Sequence, residues 1–198
     1  MTLHLPTGLA GSLRGYLRAS TADLHADVDA LFAPLVARGV AGYRAFLLRS
    51  AAALLPLERA LEGARVEAFC PDWPMRRRSS ALRADLADLS LSEPDHVPIP
   101  NMRGPAFMLG ALYVLEGSRL GAHALLKDAL KTLPDEAHAA TRYLAHGRGQ
   151  PLWPTFLQQI EASVAARESV GEVVAGARVA FGVFLASASA DRNGAAHA

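Results

Sequence analysis

The chain has 198 residues, enough for one substantial core, and 51% of them are hydrophobic. A formal net charge of +1 excludes the strongly basic balance of a general nucleic-acid binder, and Lys127 and Lys131 are the only lysines, so nearly all the positive charge is arginine. The single cysteine, Cys70, excludes an internal disulfide and a cysteine-based zinc cluster, and is expected to be a small buried hydrophobe.

Strand signals are nearly absent, whereas helical periodicity recurs along the chain. The opening "MTLHLPTGLAGSLRG" lacks the apolar run of a secretory signal. "SLRGYLRASTADLHADVDALFAPL" places Leu17, Leu24, Val28, Leu31 and Leu35 on a helical repeat that Pro34 should end. "VAGYRAFLLRSAAALLPLERALEG" predicts a second helix, kinked at Pro56 and stopped at Gly63. "CPDWPMRRR" reads as a loop, and "SSALRADLADLSL" as a third helix opened by a serine cap. After the Pro-rich connector "SEPDHVPIPNMRGP", one long helix should run from about Pro105 to Lys131. Its longest uncharged apolar stretch, Gly104 to Leu115, is shorter than the roughly 20 residues a membrane span needs. "PDEAHAATRYLAHG" is a short amphipathic segment, and "PLWPTFLQQIEASVAARE" and "VGEVVAGARVAFGVFLASA" predict the last two helices. The expected fold is all-α: about seven helices forming a single domain over residues 1–198, with about 1–11 and 190–198 loosely ordered.

Two features are out of place in this pattern. The long helix carries Gly110, Gly117 and Gly121, each costing about 1 kcal/mol relative to alanine in a helix interior. At about 100° per residue they fall within about 40° of one another, with Tyr113 close by, so they form a bare stripe. Close helix–helix packing and a flat ligand against the backbone both explain such a stripe. A membrane dimer motif does not, because Glu116, Arg119 and His123 interrupt the segment. His123 points away from the stripe, and Glu116 is expected to flank it.

The second feature is His25. Of the seven histidines, His4, His138, His146 and His197 lie at termini or on polar faces, and His96 lies in the connector. His25 sits mid-helix beside Leu24, Val28 and Leu31. Arg18 lies seven residues before it and Phe32 seven after, so all three share a face; Asp29 follows at i+4. A neutral imidazole can bind a metal through one nitrogen while the other donates to a carboxylate that fixes the tautomer. An ordinary half-buried histidine with an i,i+4 partner is the plainer alternative.

These residues carry a resemblance. "LRASTADLHADVD" resembles the first-helix pattern of the bacterial heme oxygenase family, L-R-x-x-T-x-x-L-H, whose histidine is the proximal heme ligand. "GALYVLEGSRLGA" is similar to the distal helix with its G-S-x-x-G core, and "PLWPTFLQQI" to the W-x-x-F segment before the final helix. The order and spacing agree over most of the chain. The resemblance implies a heme oxygenase-like helical bundle that opens heme b, both substrate and cofactor, with O2 and electrons to biliverdin, ferrous iron and CO. It implies His25 as the iron ligand, Asp29 as its hydrogen-bond partner, and Gly117 and Gly121 as the flexible glycines passing close over the heme. Ser118 takes the place nearest the oxygen, where mammalian-type members carry a carboxylate, so the water network must be held differently here. Arg18 and Tyr113 match positions that engage the propionates, and Arg178 is a further candidate not fixed by a motif.

The implied partners are an electron donor such as a ferredoxin or reductase, docking on arginines among Arg14, Arg18, Arg119 and Arg178, and a bilin acceptor such as a bacteriophytochrome. Neither nucleic acid nor membrane is expected, and the expected location is cytoplasmic. The alternatives are a non-catalytic heme or bilin carrier or sensor on the same scaffold, a thiamine-degrading enzyme using Cys70, and a purely structural helical module.

Overall fold

The structure is a computed structural model that describes residues 12–194, with side chains through Ser189. His4 and His197, and the parts of the expected loose ends at 1–11 and 195–198, lie outside the described residues. Ten α-helical segments are present among the described residues, and no strand. They are α1 (Leu13–Ser20), α2 (Ala22–Val36), α3 (Gly39–Gly63), α4 (Trp73–Arg76), α5 (Ser79–Asp88), α6 (Pro105–Thr132), α7 (Arg142–Ala145), α8 (Leu152–Ala162), α9 (Val164–Glu168) and α10 (Val170–Gly194). The all-α expectation is met, and the excess over seven has local causes.

The first expected helix is two. Thr21 leaves helical geometry (φ −129°, ψ 8°), and its Oγ1 donates to the Leu17 carbonyl at 2.8 Å, closing α1 before α2 begins. The shared face of Arg18 and His25 therefore does not hold across the break. Pro34 does not end α2, which continues to Val36, and α3 runs through Pro56 to Gly63. The tryptophan loop contains α4, with Trp73 buried and its Nε1 donating to Glu62 Oε1 at 3.2 Å. Ser163 splits the next expected helix: its backbone turns extended and its Oγ accepts from Ala166 N at 3.2 Å, capping α9.

Several helix starts are capped from a distance. Glu161 of α8 accepts from Leu13 N at 3.2 Å and Arg14 N at 3.1 Å. α5 opens not on a serine cap but on buried Glu58 of α3, which accepts from Arg78 N at 2.8 Å and Ser79 N at 2.9 Å. A carboxylate at a helix start satisfies otherwise unpaired amides and meets the positive end of the helix dipole.

The core is built on α6 and α10, which pack along each other, with α2 and α3 completing it. Their contact is reciprocal. A methyl group on Gly110 would overlap the Val173 carbonyl, and one on Gly176 the Phe107 carbonyl, so both helices need glycine for their backbones to meet. Phe32, Phe46 and Phe184 pack edge to face beside Tyr43 and Tyr143. α3 and the first part of α10 (Val170–Ser189) are long and apolar enough to cross a bilayer, but here they form the walls of this core, with 61% and 50% of their apolar windows buried.

Candidate functional site

His25 lies on the outer face of α2 with its ring largely exposed. Its Nδ1 is 3.0 Å from Asp29 Oδ2. With Nδ1–H donating to the carboxylate, a neutral ring would keep its lone pair on Nε2, the tautomer in which that nitrogen can bind a metal. The edge of the ring rests on Phe181 of α10, at 5.7 Å between centroids, and Leu24 and Val28 are half-buried beside it. Among the described residues no group of three His, Cys, Asp or Glu side chains is placed to hold a metal ion.

α2 also packs against α6, where the glycine stripe divides. Gly110 is a packing glycine. Gly121 is exposed, and a methyl group there would meet nothing within 4 Å. At Gly117 it would meet only the Trp153 ring, at 3.7 Å. Packing within the chain explains the first glycine and leaves the other two unexplained.

Tyr113 stands one turn before Gly117, half-buried, with its ring 5.5 Å from that of Trp153. Burial raises its pKa, and the nearby positive charges of Arg14 and Arg18 oppose the rise. Arg14 itself lies over the Trp153 ring at 5.9 Å. Arg18 is thus near enough for its charge to act on the Tyr113 phenol, although the helix break takes it off the face it was expected to share with His25. Arg178 bridges α10 to the α1–α2 junction, donating to the Ser20 carbonyl at 2.8 Å and to the two Asp23 oxygens at 3.2 and 3.1 Å. That bond holds the Asp23 carboxyl below its ordinary pKa.

The other side of α6 is held by arginines that sequence reasoning passed over. Ser118 Oγ donates to the Leu115 carbonyl at 2.8 Å and accepts from Arg78 Nη2 at 3.0 Å; the same Nη2 also donates to the Leu115 carbonyl at 2.9 Å. Glu116 does not flank the bare stripe but is buried, its Oε2 accepting from Arg76 Nη1 at 2.7 Å and its Oε1 from Arg119 Nη2 at 2.9 Å. Arg119, expected among the docking arginines, is likewise buried and its Nη1 lies 3.0 Å from His146 Nδ1. Burial, then the charges of Arg119 and Arg78, push the His146 pKa down to about 4, so it is neutral near pH 7 and accepts. The signal for these residues was the run Arg76–Arg78 beside an apolar segment, two of whose three side chains are buried.

A cleft of about 630 Å³ opens at the N-terminal end of α6, lined by Met108, Arg103 and Arg65 among others, and contains none of these residues. His25, Arg18 and Gly121 are instead each exposed at the surface.

No family model matches the chain. A heme oxygenase of Xanthomonas campestris pv. campestris (strain 8004) is 32% identical over 112 residues, which span 57% of this chain and 67% of that protein. The chain belongs to the heme oxygenase family. The fold agrees: the crystal structure of the NO- and CO-bound heme oxygenase from Neisseria meningitidis superposes with a TM-score of 0.75 at 23% identity, covering 90% of this chain and 91% of that one. Gly110 belongs to the scaffold, whereas Gly117 and Gly121 stand open.

Proposed function

We propose that this chain degrades heme, cleaving it with O2 and electrons to biliverdin, ferrous iron and CO. The observation that carries the proposal is the pairing, in a member of this family, of a histidine whose Nδ1 is fixed by Asp29 with a helix whose Gly117 and Gly121 are bare. Bound heme supplies the iron that activates oxygen and the ring that is oxidised. His25 would offer Nε2 to the iron, and Asp29 would keep the ring oriented. Gly117 and Gly121 allow a planar ligand to lie close to the α6 backbone. Arg18 and Tyr113, with Arg178 beyond them, provide a cationic, hydrogen-bonding edge for the ligand's carboxylates. The Ser118 hydroxyl, held by Arg78, provides a polar point beside the glycines without a strong acid.

Heme b as the form bound, a ferredoxin or reductase as electron donor, and a bacteriophytochrome-like bilin acceptor are parts of the same proposal, as is cytoplasmic residence. The exposed arginines Arg14, Arg18 and Arg178 support donor docking; buried Arg119 does not. Cys70 gives no support to cysteine chemistry, since burial, then its bond to Asp72, pushes its thiol up to about 12.

The test is a hemin titration followed by reduction with ascorbate or ferredoxin under oxygen, with catalase present. A 1:1 Soret-absorbing complex that converts to a biliverdin spectrum is expected. A complex that never loses its Soret band identifies a carrier instead. His25→Ala should weaken the complex and abolish turnover; if it does neither, the ligand assignment fails.

A further inference from the structure

We propose that the buried Arg76–Glu116–Arg119 cluster is a clamp that positions the bare turn of α6 over the ligand, with Glu116 and Arg76 acting as positioning residues. The mechanical claim stands on this chain's own geometry; its consequence for catalysis rests on the heme-degrading reading above.

Glu116 directly precedes Gly117. Going round the helix at about 100° per residue, Leu115, Glu116 and Arg119 lie on the side opposite Gly117 and Gly121. Every polar handle on that side is taken. Arg119 Nε donates to Glu116 Oε2 at 3.0 Å, in addition to the two bonds already described. Arg76 extends from Glu116 to the Leu152 carbonyl at 2.8 Å, Thr155 Oγ1 at 2.9 Å and Asp72 Oδ2 at 2.6 Å. Arg119 reaches the Arg76 carbonyl and the 146–147 loop, where Gly147 has a φ of +72°. Arg78 fixes the Leu115 carbonyl and Ser118. One turn of α6 is thereby fastened to α4, α8 and two loops on the side away from the glycines.

Stability alone is a poor reason for this arrangement. Removing ions from water offsets much of their attraction, and well-packed apolar groups of the same volume commonly hold a fold as well. The cluster is also imperfect: Arg76 Nε is buried with no hydrogen-bond partner. What directional bonds supply, and apolar packing does not, is a fixed height and rotation of the helix. The turn needs this, because two glycines four residues apart lower its helix propensity and widen its backbone freedom.

The experiment compares wild type with Glu116→Gln, Arg76→Lys and Thr155→Val. Amide hydrogen exchange of the ligand-free protein is read along α6, and hemin affinity, the ferric Soret and spin-state spectrum, KM and kcat are read with hemin. Exchange should rise about tenfold or more across 115–121 while the segment around Gly110 keeps its protection. Hemin affinity should change less than about threefold, because His25, Arg18 and Tyr113 are intact, while the spin-state spectrum shifts and kcat falls about tenfold at similar KM. Arg76→Lys, which keeps the charge but lacks the fork, should show the same local pattern at smaller size than Glu116→Gln. Should Glu116→Gln not fold, Thr155→Val, which removes one arm of Arg76, should show the same local pattern at smaller size. Unchanged exchange at 115–121, or a rise spread evenly over all of α6, overturns the clamp. Failure of wild type to bind hemin removes the functional reading and leaves the exchange result to decide the clamp.

Discussion

At Gly110 a methyl group would overlap the Val173 carbonyl; at Gly117, seven residues along the same face of α6, it would rest 3.7 Å from the Trp153 ring with no backbone near it. The first half of the helix is pressed against α10 and needs glycine because another backbone occupies the space. At Gly117 and Gly121 no other backbone comes near, and the turn is held on its other side by arginines. The difference teaches that a stripe of small residues is not one feature. Two packed helices touch closely near their crossing and separate away from it, so residues about 10 Å apart along one face can have unrelated reasons to be small.

That comparison can be broken by substitution. Gly110→Ala should have the largest effect, a loss on the order of 5 kcal/mol or a failure to fold, read by urea unfolding of the ligand-free protein. A loss under about 1 kcal/mol would show that α6 and α10 are not locked backbone to backbone. Glu116→Gln follows: leaving Arg76 and Arg119 short of their shared carboxylate should cost about 3 kcal/mol by the same measurement. If it costs no more than a surface pair, the second half of α6 is not held from behind.

A pH series sharpens the same side of the comparison. The His146 pKa of about 4 in the folded chain lies below its ordinary 6.5, so the unfolded chain takes up the proton first. The stability linked to this group is fully present above pH 6.5 and is lost as pH falls toward 4. His146→Asn keeps an acceptor for Arg119 but cannot be protonated, and should flatten the fall of the urea midpoint over that window; identical slopes would place His146 outside the cluster's energetics. The smallest stability effect belongs to the open glycines. Gly117→Ala and Gly121→Ala should leave the ligand-free fold unchanged or more stable by up to about 1 kcal/mol, since helix propensity improves and nothing is displaced. Both should lower heme turnover. A destabilised Gly121→Ala protein would mean that the bare face is packed after all.

Much of the scaffold was legible in the sequence because helical periodicity is a local signal. The long helix, expected from about Pro105 to Lys131, is α6 from Pro105 to Thr132, and Gly63 closes α3 as expected. The errors fall where a local signal was outweighed by a side chain far along the chain or by a single backbone turn. The start of α5 looked serine-capped but is held by Glu58, and Thr21 breaks a helix whose apolar repeat runs on without interruption. The candidate site divides the same way. His25 and Asp29 are i,i+4 partners on one helix, so their 3.0 Å contact was implied by spacing. Arg18 comes within electrostatic reach of Tyr113 only through the packing of α1 on α8 and α10.

The sequence by itself determined the all-α architecture, the histidine with its carboxylate, and three glycines on one face of one helix, since each depends on residues within a few turns of each other. Only the tertiary structure decided which glycine is a crossing point and which two are bare, and that Glu116 and Arg119 lie inside while His25 lies outside. The periodicity of one helix fixes directions around its own axis; what stands in each direction is set by the helices packed against it, whose angle and distance no single segment encodes.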